Sequence, residues 1–293
     1  MSKLSITESR NPHTIGIDLM SSLDIARTIN NEDQKVACAI KLVLPQIAQA
    51  IDMVSESFLK GGRLAYFGAG TSGRLGVLDA SEMAPTFGVN PLMVQGFIAG
   101  GEKALRQPVE HAEDKKTLAL QDIKKFSPTD CDVVIALSAS GQAPYCLAVL
   151  EEAHRAGAKT IAISSNPHAG IGPLADIFIN PIVGPEAITG SSRLKSGTAQ
   201  KMILNMISTG AMIRIGKTYE NYMIDLQLTN KKLIQRGTRF ISEICHISLK
   251  EASQYLKEAQ NVKTACVMVL KQCTKEQADE LLAQHHGILR EVI

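Results

Sequence analysis

Small and hydroxyl-bearing residues are concentrated in the stretch Gly61–Ala84, which reads GGRLAYFGAGTSGRLGVLDASEMA. An apolar run ends there at Gly68, Ala69 and Gly70, as a buried strand does before a tight turn into a helix. Thr71 and Ser72 follow, at a point where the free N–H groups of a starting helix attract anions and two hydroxyls add donors. The pattern predicts a cradle for a phosphate or a sugar phosphate.

Two alternatives compete with this interpretation. The glycines of the turn also match the dinucleotide-binding fingerprint, which requires an acidic residue at the end of the second strand. That strand is expected at Leu92–Phe97, and the first acid after it is Glu102, so a dinucleotide is disfavoured. The other alternative is a Gly-rich turn that only joins a strand to a helix.

Three later loops argue against a plain turn. Ser138–Pro144, Ser164–Pro167 and Ile182–Thr198 each follow a predicted strand and are rich in Ser, Thr and Gly. Ser and Thr also cap helices, so one such loop would mean little. Because the carboxyl ends of parallel strands meet at one edge of a sheet, we expect the loops to converge on one polyhydroxylated, phosphorylated ligand.

Carboxylates close to this edge could act as acids or bases. Glu82 lies in the helix that begins at the cradle, among small and apolar neighbours. Burial there would raise its pKa toward that of a usable acid. Glu110 and Glu113 are expected on one face of a helix at Gln107–Lys124. The alternative for any one of these glutamates is a solvated helix surface.

The elements that must position these residues alternate between strand and helix. Apolar runs predict strands at Leu64–Phe67, Leu92–Phe97, Val133–Leu137, Thr160–Ile163 and Ile177–Ile179. Helical patterns lie between them, as at Tyr145–Ala156. Such alternation predicts an α/β fold with a doubly wound, five-stranded parallel sheet.

Helical segments flank this sheet region on both sides. Before it we predict a short helix at Met20–Asn30 and a long one at Glu32–Leu59 that Pro45 kinks or splits. After it, Arg239–Ile293 has helical periodicity without strands. We therefore expect a helical N-terminal arm at 1–60, a phosphosugar-binding domain at 61–237 and a helical appendage at 238–293.

Composition disfavours several classes of partner. The formal net charge is +2, from 31 basic and 29 acidic residues, and no basic run is interleaved with aromatic residues. This disfavours nucleic acid as a partner. No stretch has the apolar length of a signal peptide or a membrane span. Six scattered cysteines suggest reduced thiols, and we expect a soluble, cytoplasmic protein without a membrane partner.

A tandem histidine pair near the C-terminus, His285-His286, raises the possibility of a metal site. No other ligand spacing accompanies the pair. A helix end closed by Gly287, with the histidines against its dipole, is the better interpretation. We expect no metal and no organic cofactor.

Several blocks together resemble the N-acetylmuramic acid 6-phosphate etherases. These blocks are GAGTSGRLGVLDASE from Gly68, AGGEKA from Ala99, AED at 112–114, GPEAITGSSRLKSGTAQK from Gly184, TNKKL from Thr229, TESRNP from Thr7 and HHGILR from His285. The resemblance therefore extends over essentially the whole chain. It implies a sugar isomerase (SIS) domain, a cytoplasmic homodimer and a role in recovering cell-wall amino sugars.

The resemblance also implies a reaction and its residues. The lactyl ether at C3 of the sugar is split, giving N-acetylglucosamine 6-phosphate and D-lactate. Glu82 matches the acid that protonates the leaving group, and Glu113 matches the second catalytic acid. Substrate binding is implied for Gly70, Thr71, Ser72, Ser138, Ser140, Gly141, Glu186, Ser191, Ser192 and, across a dimer, Lys232.

One departure from the family pattern is visible, and two other functions compete. Gln142-Ala143 stand where the family usually has Arg-Thr, so one hydroxyl of the third loop is lost. The alternatives are a phosphosugar aldose–ketose isomerase on the same fold and a phosphosugar-binding regulator without catalysis. Glu82 favours an enzyme over the regulator. The etherase interpretation requires that the loops gather at one edge and that both glutamates reach the same sugar.

Overall fold

Five short strands form one all-parallel sheet, which helices flank. The computed structural model describes residues 6–293. The strands are β1 (Leu64–Gly68), β2 (Val94–Ile98), β3 (Val133–Leu137), β4 (Lys159–Ile163) and β5 (Ile177–Ile179), in the spatial order β2-β1-β3-β4-β5. The order reverses between β1 and β3, so the predicted doubly wound parallel sheet is confirmed. Every residue of β1 and β3 is buried, as expected for strands covered on both faces.

Twelve helices surround and follow the sheet in the described part of the chain. They are α1 (Ser22–Lys41), α2 (Leu44–Leu59), α3 (Gly70–Phe87), α4 (Gly101–Arg106), α5 (Lys116–Phe126), α6 (Pro144–Arg155), α7 (Lys195–Arg214), α8 (Lys231–Cys245), α9 (Leu249–Ala259), α10 (Val262–Lys271), α11 (Lys275–Gln284) and α12 (Leu289–Val292). Short 3-10 turns lie at Ile6–Glu8, Pro12–Thr14, Ile17–Leu19 and Gly172–Leu174.

The chain divides into two compact units. The first contains the residues up to Ser81 together with Leu92–Ser208, and the second contains Glu82–Pro91 and Thr209–Ile293. The sheet and helices α1 and α2 belong to the first unit. The three-region division at residues 60 and 237 remains a prediction.

The core of the first unit lies against the sheet. Phe67 of β1 stacks on Phe97 of β2 with ring centroids 4.7 Å apart, and Phe126 of α5 meets both rings edge-on. Aromatic pairs in this geometry add to the free energy gained by burying their area. This packing fixes the two strands whose carboxyl ends carry the first loops.

The second unit is built from helices with well-defined ends. Ser248 with Glu251 and Thr274 with Gln277 form capping boxes at the starts of α9 and α11. Phe240, Ile241 and Val267 belong to its buried core. The end of α11 is followed by His285, His286 and Gly287, and the Gly287 N–H donates to the Leu282 carbonyl at 2.7 Å. The predicted helix end at the histidine pair is confirmed.

The two N-terminal helices differ from their predicted bounds. A single helix, α1, runs through the predicted break near residue 31, and the chain breaks instead just before α2, where Pro45 lies in the first turn. The expected effect of Pro45 is confirmed, because a proline is tolerated at a helix start and not in its interior. Among the described residues no single helix is long and apolar enough to cross a membrane; α1 and α2 meet that criterion only together, across a bend of 63°.

The predicted helix at Gln107–Lys124 is wrong in its first half. Residues 107–115 form an irregular connection between α4 and α5, within which His111 has a φ of 58°. Pro108 cannot donate a helical hydrogen bond and restricts the residue before it. Glu110 and Glu113 therefore lie in a loop and not on one face of a helix.

Candidate active site

Glycines at the end of β1 allow the cradle turn to close on itself. A Cβ atom placed on Gly73 would lie 2.6 Å from the Gly68 carbonyl oxygen, so a larger residue would clash with the backbone. Gly70 begins α3 with a φ of 55°, a conformation that glycine adopts without steric cost. The start of α3 thus lies close against the strand end, and the free N–H groups of a helix start attract anions.

A buried network holds α3 in this position. The Asp79 carboxylate accepts hydrogen bonds from the Tyr66 hydroxyl at 2.7 Å, the Asn205 amide at 2.7 Å and the Ser208 hydroxyl at 3.1 Å. Burial raises the pKa of the Asp79 carboxyl, although these hydrogen bonds oppose the shift. Asp79 thereby ties α3 to β1 and α7.

A cavity of about 270 Å³ opens at the carboxyl edge of the sheet. The predicted loops after β1, β3 and β5 all contribute to its walls. Its lining residues are Thr7, Glu8, Ala69, Gly70, Thr71, Ser72, Glu113, Leu137, Ser138, Ala139, Ser140, Ala143, Gly190 and Ser192. We call this space the phosphosugar cavity, because hydroxyls and small residues dominate its walls.

The two serines of the third loop accept hydrogen bonds from the backbone. The Ser138 hydroxyl accepts from the Gly141 N–H at 3.0 Å, and the Ser140 hydroxyl accepts from the Gln142 N–H at 3.3 Å. A hydroxyl that accepts from the backbone still has its own proton to donate. The two hydroxyl oxygens also lie 3.5 Å apart, so one hydroxyl can donate to the other while the second donates to an oxygen of a bound phosphate.

Ser72 differs from Ser138 and Ser140 because its hydroxyl donates to another side chain. Its hydroxyl donates to the Gln200 side-chain oxygen at 2.8 Å, a contact between residues 128 positions apart. Ser72 therefore offers the cavity its lone pairs and backbone, while the half-buried Thr71 beside it lines the same wall.

The loop between β5 and α7 is held by a buried carboxylate. Glu186 accepts from the N–H groups of Lys195 at 2.8 Å and Ser196 at 3.0 Å, at the start of α7. A carboxylate at a helix start satisfies donors that have no partner within the helix. Glu186 is fully buried and lies outside the cavity walls, as do Ser191 and Gly141. Glu186 thereby ties the loop to the start of α7, and its predicted contact with substrate remains a prediction.

The N-terminal segment contributes a carboxylate that sequence reasoning missed. Glu8 lines the cavity, and its Oε2 atom would lie 3.3 Å from a Cβ placed on Gly190. The segment is anchored three residues later, where the buried Asn11 amide donates to the Pro185 carbonyl at 3.1 Å. The TESRNP block was the available signal, because it contains both the anchor and the carboxylate.

Glu113 lies in the connection between β2 and β3 and lines the phosphosugar cavity. Its backbone carbonyl accepts from the Tyr145 N–H at 2.9 Å, which fixes the loop against the start of α6. Burial, and then the nearby Glu113 charge, raise the pKa of the Cys146 thiol to about 12. Glu113 is therefore held at the sheet edge by backbone contacts.

A second cavity, of about 210 Å³, shares Ala69, Gly70 and Glu113 with the first. Its other lining residues are Arg74, Ala99, Ala104, Pro108, Val109, Glu110, His111 and Ala112. Glu113 thus borders both spaces. We call this space the side cavity.

Comparison with known proteins assigns the chain to a family. The glucokinase regulatory protein N-terminal SIS domain matches residues 46–154, the SIS domain matches residues 108–210, and the C-terminal lid domain of glucokinase regulatory protein matches residues 220–260. The N-acetylmuramic acid 6-phosphate etherase of Glaesserella parasuis serovar 5 is 51% identical over 96% of this chain and 93% of its own length. That of Edwardsiella ictaluri is 52% identical over 97% of this chain and 95% of its own length.

The chain belongs to the N-acetylmuramic acid 6-phosphate etherase family. The predicted SIS fold is confirmed with it. A Bacteroides fragilis protein, described as a candidate phosphosugar isomerase involved in capsule formation, shares the fold with a TM-score of 0.51 and 20% identity, over 68% of this chain and 95% of its own length.

Two residues that we expect from the sequence to act in catalysis and binding lie in the second unit. Glu82 is an exposed residue of α3, and Lys232 is an exposed residue of α8. Neither belongs to the walls of the phosphosugar cavity. Their roles toward a bound sugar remain predictions.

The departure from the etherase pattern in the third loop has a structural counterpart. The Gln142 amide donates to the His168 carbonyl at 2.8 Å, so it links the loops after β3 and β4. Ala143 lines the cavity where the family pattern has a hydroxyl. Ser164 and Asn166 support the same loop, donating to the carbonyls of Ala139 and Ser140.

The described residues offer few groups for a metal ion. Within residues 6–293, no three or more His, Cys, Asp or Glu side chains are placed to hold one. His285 instead lies 3.6 Å from the Glu291 carboxylate. The chemistry available in the cavity is that of hydroxyls, backbone N–H groups and carboxylates.

Proposed function

We propose that this chain cleaves the D-lactyl ether of N-acetylmuramic acid 6-phosphate by elimination and hydration, giving N-acetylglucosamine 6-phosphate and D-lactate. The observation that carries the proposal is the phosphosugar cavity, where Ser138 and Ser140 lie in the same walls as Glu113. Family membership over nearly the full chain supports the same reaction.

The hydroxyls and the start of α3 bind the 6-phosphate. Their donors suit an anion that carries three oxygens, and no lysine or arginine lines the described walls of this cavity. The Glu8 carboxylate can only accept hydrogen bonds when ionised, so it suits hydroxyl groups of the sugar and not the phosphate.

The reaction needs two proton transfers. An ether is a poor leaving group, so direct hydrolysis is slow. Ring opening makes C1 an aldehyde and the C2 proton acidic. A base removes that proton while an acid protonates the departing lactate oxygen, and water then adds at C3.

Two carboxylates in opposite protonation states suffice for this sequence. We assign protonation of the lactate oxygen to Glu82 and the second acid–base role to Glu113. The position of Glu113 between two cavities supports its role, because the bond to be broken joins a sugar to a separate three-carbon group.

The proposal includes a cytoplasmic homodimer, in which Lys232 reaches the ligand of the neighbouring subunit. Large apolar side chains exposed on the N-terminal arm support self-association. Leu19 is 86% exposed and Leu42 is 80% exposed, one before and one after α1, and an interface that covers the arm would remove both from water.

Release of D-lactate tests the function. Purified protein is incubated with N-acetylmuramic acid 6-phosphate, and D-lactate is measured with a lactate dehydrogenase assay. In D₂O the sugar product is expected to carry deuterium at C2, because the proposed base exchanges that proton.

The two competing functions give different results. An isomerase would interconvert aldose and ketose phosphates and release no lactate. A regulator would bind the sugar phosphate without changing it. Either result in place of lactate release would replace the etherase proposal.

A further inference from the structure

Arg74 is the only arginine or lysine among the described residues that line the two cavities. Its Nε atom donates to the Leu105 carbonyl at 3.1 Å, which holds the half-buried side chain in the wall of the side cavity. It forms no ion pair with any residue of 6–293, although Glu110 and Glu113 line the same space. Its two terminal nitrogens therefore remain free, in the fork geometry that binds a carboxylate through two hydrogen bonds.

The proposed substrate carries a second anion besides its phosphate. The lactyl group on C3 ends in a carboxylate, and its other substituent is a methyl group. Three carboxylates, Glu8, Glu110 and Glu113, already line the two cavities. A cation beside a further anion placed among them offsets the repulsion between like charges, which is strong at short range when water is partly excluded.

We propose that the side cavity binds the lactyl group, with the Arg74 guanidinium on its carboxylate. The methyl group fits against the small apolar residues Ala99, Ala104 and Val109 of the same walls. Glu113 borders both cavities, so the C3–oxygen bond would pass beside its carboxylate. This inference rests on the proposed function. It assigns to the side cavity the specificity for a sugar that carries a short carboxylic acid.

The subsite separates two ligands that differ only in the lactyl group. N-acetylmuramic acid 6-phosphate reaches both cavities, whereas N-acetylglucosamine 6-phosphate fills only the phosphosugar cavity. Removing the Arg74 charge should therefore weaken the binding of N-acetylmuramic acid 6-phosphate and leave the binding of N-acetylglucosamine 6-phosphate unaffected.

The test compares wild-type protein with Arg74→Gln and Arg74→Lys. The kcat/KM for N-acetylmuramic acid 6-phosphate is measured together with the inhibition constant of N-acetylglucosamine 6-phosphate. We expect Arg74→Gln to lower kcat/KM by about 30- to 100-fold, the usual value of a paired, charged hydrogen bond. Arg74→Lys keeps the charge without the fork and should lose about tenfold. The inhibition constant should stay within about twofold in both variants.

Arg106→Gln is the matched control. Arg106 is exposed, follows Leu105 directly and lies outside both cavities, so its removal changes the local charge equally. Its kcat/KM should remain close to that of the wild type. A substrate with a methyl-esterified lactyl group should react poorly with wild-type protein. Arg74→Gln should lower the kcat/KM of this substrate little further.

Three outcomes would overturn the inference. These are an unchanged kcat/KM in Arg74→Gln, an equal loss in Arg106→Gln, and a parallel loss of N-acetylglucosamine 6-phosphate binding, which would make Arg74 a structural link between α3 and α4. If wild-type protein releases no lactate, the function fails separately. The dissociation constants of the two sugar phosphates, measured by calorimetry with wild-type and Arg74→Gln protein, then still decide whether the lactyl group is bound here.

Discussion

We assign opposite proton transfers to Glu82 and Glu113, and the transfer assigned to Glu82 is the more demanding one. A lactate oxygen leaves as an alkoxide unless an acid protonates it. We predict that Glu82→Gln lowers kcat by about 10²- to 10⁴-fold, because an amide keeps the shape of the side chain and cannot donate that proton. Lactate release is measured, together with inhibition by N-acetylglucosamine 6-phosphate, which should be unchanged.

Glu258→Gln serves as the control for this variant. Glu258 is an exposed glutamate of α9 in the same unit as Glu82, and its replacement should leave kcat near the wild-type value. Near-normal lactate release from Glu82→Gln would remove Glu82 from its assigned role.

The third loop allows a prediction about binding. Ser138 and Ser140 each accept from a backbone N–H, and because their hydroxyl oxygens lie 3.5 Å apart, the pair has at least one proton to donate toward the cavity. Replacing both with alanine should raise KM and the inhibition constant of inorganic phosphate by about tenfold or more, since hydrogen bonds to a charged group are the stronger kind. Ser253→Ala, on the exposed face of α9, is the control. An unchanged KM would place the phosphate elsewhere.

Some roles of individual residues could be predicted from sequence and others could not. Ser138 and Ser140 were found because a loop after a parallel strand must lie at the carboxyl edge. Glu8 was missed because it lies far ahead of the first strand, and no periodicity indicates where a segment of short turns will pack. The hydrogen-bond acceptor of Ser72 could not be predicted either, since Gln200 lies on α7 and only the fold brings the two side chains together.

Strands were predicted more accurately than the connections between them. The bounds of β3 and β5 match the predictions, because buried parallel strands are short, continuous apolar runs. The helix expected from Gln107 failed because its charged residues have helical spacing, while Pro108 and the positive φ of His111 require a loop. That error concerns the candidate site directly, since the loop carries Glu113 to the cavity.

A buried ion pair joins α1 to the start of α7. The Lys195 ammonium lies 2.6 Å from the Glu32 carboxylate, and both side chains are almost fully buried. Lys35 and His13 also contact Glu32. Burial acts to raise the pKa of the Glu32 carboxyl, but hydrogen bonds from Lys195 and Lys35 outweigh it and lower that pKa to about 2. The pair therefore fixes the N-terminal arm against the loop that carries Ser192.

This arrangement predicts a pH dependence of stability. The folded-state pKa of Glu32 lies below its usual value of 4.5, so the stabilisation is complete above pH 4.5 and is lost as the pH falls toward 2. At pH 7, Glu32→Gln should lower the free energy of unfolding by about 3 kcal/mol, partly because Lys195 is left buried without a counter-charge. The difference between wild type and variant should shrink between pH 4.5 and pH 2.

Urea unfolding followed by circular dichroism at several pH values measures this difference. Asp33→Asn removes the same charge from the neighbouring, exposed position of α1 and controls for surface charge. A difference between wild type and Glu32→Gln that stays constant down to pH 2 would contradict the assigned ion pair.

The two compact units of the whole chain could not be predicted from the sequence. An arm, a sheet domain and a helical end were expected in succession along the sequence. In the structure, Glu82–Pro91 belongs to the compact unit that contains the C-terminal helices, and the three expected regions remain a prediction. No local pattern announces such an exchange, because it depends on contacts between residues more than a hundred positions apart.

Self-association is the remaining expectation for the molecule as a whole. Ile15, Leu19, Leu23 and Leu42 are exposed on the N-terminal arm, and water-exposed leucines gain about 1.5–3 kcal/mol each when an interface buries them. We predict that wild-type protein is a dimer at micromolar concentration and that Leu19→Glu with Leu42→Glu raises its dissociation constant at least about a hundredfold. Analytical ultracentrifugation over a concentration series measures that constant.

Leu249→Glu is the control for this variant, since Leu249 is also an exposed leucine but begins α9 in the second unit. The added negative charge there lies in the first turn of a helix, where it is tolerated or favourable. Retention of the dimer in the control and its loss in the arm variant would assign the interface to the arm. A wild-type protein that sediments as a monomer at every concentration, or an arm variant that dimerises as tightly as wild type, would exclude this surface; in the second case the partner must meet the chain at another face.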